Sequence, residues 1–146
     1  MTNTYTAAAE KIHIMAPKNN YSTTASNEAG IDWSVLDSLS VLQRPGTPDL
    51  RARLLTVFLQ SSPELMDGIR TSVRLGDGQS LAKSAHSLKS SCFNMGATGL
   101  GSSCADLERA GKTGSVQSAE ELLKLAEEQY VVVVASFEEA LRRFGS

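Results

Sequence analysis

The sequence predicts an all-α fold: an antiparallel four-helix bundle with a short additional N-terminal helix. Three observations carry the prediction. Apolar residues recur every three or four positions through four long segments, glycine or proline clusters leave only short connections between them, and the β-branched run Val131–Val134 lies inside one such period. The 146 residues, 41% of them hydrophobic and 5% aromatic, suit one domain. A chain of this size buries roughly 70% of its unfolded surface, so it needs neither disulfide nor structural metal.

Residues 1–30, rich in Thr, Ala, Asn and Ser, read as a flexible leader, and residues 31–146 as the domain. His13, alone in that leader, is assigned no ligand role. Asp32 is the expected N-cap of a short helix over Trp33–Leu42, ended by Arg44-Pro45-Gly46. Thr47, with Pro48 at the first helical position, is expected to open a long helix. Its buried face would be Leu55, Leu59, Ser62, Met66, Ile69 and Val73, and Pro63 should bend or break it. Gly76-Asp77-Gly78 turns the chain into a helix with the core stripe Leu81, Ala85, Leu88, Cys92 and Met95, stopped at Gly96. Leu100, Cys104, Leu107 and Gly111 mark the next helix, terminated over Gly111–Gly114. The last, capped by Ser115 or Ser118, carries Leu122, Ala126, Tyr130, Val133, Phe137, Leu141 and Phe144.

Charge narrows the function. Fourteen Lys plus Arg against 16 Asp plus Glu give a net charge of -2, which argues against nucleic acid or anionic membrane as the partner. The longest apolar run, Val131–Ala135, is too short for a membrane span, and the N-terminus lacks a secretory signal. A cytoplasmic setting follows, with Cys92 and Cys104 as free thiols in the core. The initiating Met and loose leader favour a free-standing protein.

His86 is the imidazole within the domain. Its helical neighbours are Ala82, Lys89, Ser90 and Phe93, whereas the core stripe passes through Ala85, Leu88 and Cys92. His86 should therefore project outward with an ammonium one turn away. Such an imidazole is a competent nucleophile toward phosphorus, and Lys89 would balance charge on phosphoryl oxygens. Spacing alone also admits a solvated surface histidine. Phe93 is expected to be partly exposed, either as a docking contact or as an edge-of-core side chain.

The stretch Ala85-His86-Ser87-Leu88-Lys89-Ser90-Ser91-Cys92-Phe93-Asn94-Met95-Gly96-Ala97 resembles the active helix of histidine-containing phosphotransfer (HPt) domains. Leu100, Cys104, Leu107, Glu108 and Gly111-Lys112 are similar to that family's following helix. Phe58 to Leu65, with Pro63, is similar to its preceding one. The resemblance covers about Ile31 to Phe144. It implies a stoichiometric phosphocarrier rather than an enzyme. His86 would relay a phosphoryl group between aspartates on receiver domains of hybrid histidine kinases and response regulators. Lys89 would stabilise that group, and Ala82, Ser90, Phe93 and Lys112 would be phosphate-proximal or docking residues. No cofactor or metal of its own is implied, since the receiver brings Mg²⁺, and engagement of one receiver at a time implies a monomer. Ser90 stands where the family usually has glycine; its small side chain should still permit access, and its hydroxyl offers a donor.

Lys112 has an alternative role as a helix-end cation. Glu108 reads as a solvated residue or, less simply, a helper at the docking surface. Ala110-Gly111-Lys112-Thr113 is not a phosphate-binding loop, because Asp106 occupies its first glycine position. A His–Cys enzyme is disfavoured, since six positions turn a helix by about 600° and put His86 and Cys92 on different faces. The rival class is a helical adaptor that docks signalling partners without being phosphorylated; it would tolerate loss of His86.

Overall fold

A computed structural model describes residues 30–145; most of the leader expected over residues 1–30, including His13, lies outside the described residues. The elements are α1 (Ser34–Ser38), a 3₁₀ turn (Leu39–Leu42), α2 (Leu50–Leu75), α3 (Gly78–Met95), α4 (Thr98–Thr113), a second 3₁₀ turn (Val116–Ser118) and α5 (Ala119–Phe144). Helices α2 to α5 form the bundle, with α3 packed between α2 and α4, and α5 between the same two.

The short first helix is more divided than expected. Asp32 accepts hydrogen bonds from the amide and hydroxyl of Ser34, but only Ser34–Ser38 is α-helical and Leu39–Leu42 tightens to 3₁₀. The start of α2 differs too. Thr47 does not cap it, because its hydroxyl closes a turn onto the Arg44 carbonyl at 2.7 Å. The cap is Asp49, whose carboxylate accepts from the Arg51 amide at 2.9 Å, as an N-cap acid should. Gln43 ties the loop down, accepting from Leu50 N and donating to the carbonyls of Thr47 and Pro48.

Pro63 does not break α2, which runs unbroken from Leu50 to Leu75. Packing of Ser62, Met66 and Ile69, all buried, outweighs the one missing amide donor. Glycines in the left-handed region close three helices: Gly76 after α2, Gly96 after α3 and Gly114 after α4. The expected stop over Gly111–Gly114 is therefore Gly114 alone; Gly111 is buried inside the helix. Neither Ser115 nor Ser118 caps α5 through its side chain. Ser118 instead donates to the Ser115 carbonyl within the 3₁₀ turn. Val131–Val134 is helical, because tertiary burial of the α5 stripe overrides the strand preference of β-branched residues.

The core follows the predicted stripes, except that on α2 Phe58 is buried and the expected Leu59 only partly so, and on α5 Leu122, Tyr130, Leu141 and Phe144 pack partly buried against the core. Phe137 sits at its centre, fully buried, with Trp33 and Phe58 edge-on at ring-centroid distances of 5.9 and 5.2 Å. Polar ties cross between helices at the margin: Arg70 to Glu127, and Ser62 to Tyr130 at 2.9 Å. Among the described residues no helix is long and apolar enough to cross a membrane.

Candidate functional site

The site lies on the outer seam between α3 and α4. Asp77 caps α3 by accepting from the Ser80 amide, and the apolar stripe Leu81, Ala85, Leu88 and Cys92 turns inward. His86, one position past Ala85, is thereby rotated out; its side chain is 60% exposed. Lys89, a turn further on, is more covered, with its ammonium directed to α4.

Glu108 on α4 is what they meet. Its Oε1 is 2.7 Å from Lys89 Nζ, and its Oε2 is 3.0 Å from both Lys112 Nζ and His86 Nδ1. The expectation of a solvated Glu108 is therefore wrong: its side chain is only 8% exposed and is engaged by three basic side chains. The Lys89 ammonium above all, opposed by burial and reinforced by Lys112 and His86, holds the Glu108 carboxyl down to about 2. Its spacing was the available signal. Glu108 lies four residues after buried Cys104, three before buried Gly111 and four before Lys112, at the margin of the core stripe.

An ionised carboxylate can only accept hydrogen bonds. Nδ1 must then carry the proton in this pair, and in the neutral imidazole the lone pair is on Nε2. The seam thus holds an exposed imidazole with one nitrogen free, oriented from behind by a carboxylate that also holds two ammonium groups. That arrangement suits attack on an electrophile bearing negative oxygens.

The other residues singled out from sequence are distributed around this cluster. Lys112 joins it while remaining 66% exposed. Ser90 is exposed on the turn after His86, outside the ion-pair cluster. Phe93 is 44% exposed, and its ring lies over Gly101 of α4. Ala82 is half-buried, with its backbone against Gly111 rather than open to a partner. Cys92 and Cys104 are free and buried, and the hydrogen bond with Cys104, together with burial, pushes the Cys92 thiol up, away from nucleophilic chemistry. Among the described residues no three His, Cys, Asp or Glu side chains gather as a metal cluster.

Comparison with known proteins bears on this geometry. The family model described as Hpt domain matches residues 53–143. Among solved structures, the chain is similar to histidine-containing phosphotransfer protein B (HptB) from Pseudomonas aeruginosa PAO1. The two are 30% identical with a TM-score of 0.72, over 79% of this chain and 96% of the other. No curated protein matches significantly.

Proposed function

The chain belongs to the Hpt domain family, and from that premise we propose that His86 is the residue through which it carries phosphate between receiver domains. A histidine phosphotransfer role in phosphorelays is what membership supports; the acceptor, its helpers and the partners are the proposal. The observation that carries it is the Nδ1–Glu108 hydrogen bond on an otherwise exposed ring.

The Nε2 lone pair forms the N–P bond as the P–O bond to a receiver's aspartyl carboxylate breaks, and that carboxylate leaves with the electron pair. The proton stays on Nδ1. The positive charge that the ring acquires is shared with Glu108, so Glu108 is a positioning and charge-balancing residue. Lys89 and Lys112, held on Glu108 next to the ring, are the cations near enough in the cluster to turn toward the phosphoryl oxygens. The receiver contributes the aspartate and the Mg²⁺ that neutralises phosphoryl charge. Onward transfer is the same step reversed on a second receiver. The protein is then a monomeric, stoichiometric carrier whose docking face includes Ser90 and Phe93.

The test is to incubate the protein with a phosphorylated receiver domain and Mg²⁺, follow the label, and run a folded His86→Gln variant in parallel. Acid-labile, alkali-stable label on the wild type, absent from the variant and released to a second receiver, is the expected result. If neither protein takes label while both bind the receiver equally, the carrier role fails and a docking adaptor replaces it.

A further inference from the structure

A 3.0 Å bond between His86 on α3 and Glu108 on α4 needs backbones that run close together, because the imidazole's reach is fixed. One turn away, α3 and α4 meet main chain to main chain. A Cβ on Gly111 would stand 2.5 Å from the Gly78 carbonyl oxygen and 2.7 Å from the Ala82 amide nitrogen. One on Gly78 would stand 2.6 Å from the Gly111 carbonyl oxygen. Side-chain rotation cannot relieve contacts with main chain, so glycine is required here by space. The register of the pair then runs on: Ala82 against Gly111, His86 against Glu108, and Phe93 over Gly101.

We infer that Gly111 is a positioning residue for the phosphoryl acceptor: its contact with Gly78 and Ala82 sets the α3–α4 spacing at which Glu108 reaches His86 Nδ1, and so decides which imidazole nitrogen is left as the nucleophile. The inference rests on His86 as the acceptor. Restoring an ordinary contact of 3.4 Å around a new Cβ parts the backbones by about 1 Å. Lys112, on the same helix as Glu108, keeps its hold, whereas His86 and Lys89 withdraw together with α3. A hydrogen bond stretched by that much is lost.

The experiment is ¹⁵N NMR of the imidazoles in the full chain, with His86 assigned against His86→Gln. Wild type should show Nδ1 protonated and Nε2 bare. Gly111→Ala should move both signals toward a mixed-tautomer pattern and slow phosphoryl uptake from a phosphorylated receiver about 10- to 100-fold, the cost that losing the carboxylate behind a metal-bound histidine typically carries. Gly101→Ala, where the atoms nearest the new Cβ belong to the movable Phe93 ring, should leave the tautomer alone. A folded Gly111→Ala protein with wild-type nitrogen signals overturns the inference. Should that variant not fold, Glu108→Asp reads the same spacing: one methylene shorter, it loses the Nδ1 signature if the backbones are held apart at a fixed distance, and retention of the signature overturns the inference. Failure of the wild type to take label would instead overturn the acceptor assignment and leave the nitrogen signals to be judged separately.

Discussion

Replacing Glu108 by Gln should destabilise the protein near neutrality and cease to do so in acid. The carboxyl is drawn from an ordinary 4.5 down to about 2 in the folded protein, chiefly by Lys89. Each tenfold change in proton affinity corresponds to about 1.4 kcal/mol, which makes the ion cluster worth on the order of 3 kcal/mol. His86 and Lys112 are more than half exposed, and water screens their share, which reduces the expected effect to about 1–2 kcal/mol. Because the folded-state value lies below the unfolded one, this stability is fully present above about pH 4.5 and is lost as pH falls toward about 2. Urea unfolding of wild type and Glu108→Gln, followed by far-ultraviolet circular dichroism across that range, measures the gap between them. The gap should close between those two limits, while the decline shared by both proteins reports their other carboxylates. A gap that stays constant from neutrality down to about pH 2 would refute the reasoning, because it would mean that Glu108 stabilises by packing and not by charge.

Phe137→Ala removes the ring on which Trp33 and Phe58 rest edge-on and should cost about 3–5 kcal/mol, read as a lowered thermal midpoint. Asp49→Ala should cost about 1 kcal/mol in urea unfolding through loss of the α2 cap, and Thr47→Ala markedly less. Lys89→Ala should slow phosphoryl uptake more than Lys112→Ala, since Lys89 makes the shorter bond to Glu108 from a more covered position; equal rates would place the two ammonium groups on a par. A thiol reagent should leave Cys92 and Cys104 unmodified in the native protein and label both in denaturant, measured by mass.

Much of the architecture is determined by the sequence alone, because an amphipathic stripe is a local property. The stripes through Met66 and Ile69, through Leu81 and Leu88, and through Val133 and Phe137 repeat at the helical period and are buried where that period puts them. The same rotation that buries Ala85 and Leu88 turns His86 out, so the outward histidine with Lys89 one turn on is legible without coordinates. Helix ends were less so. Thr47 and Asp49 are both acceptable caps, and the choice between them was made by Gln43 and Arg44, residues of the preceding loop. The partners across the seam were decided by tertiary structure alone. The spacing of Glu108 from Cys104 and Lys112 places it at the margin of the core stripe, but nothing local shows that it also gathers Lys89 and His86 from α3, or that Gly111 is in the helix to admit the backbone of α3. Periodicity records which face of a helix is apolar; it carries no record of how near the next helix comes, and at this site that nearness is what lets Glu108 meet His86 Nδ1.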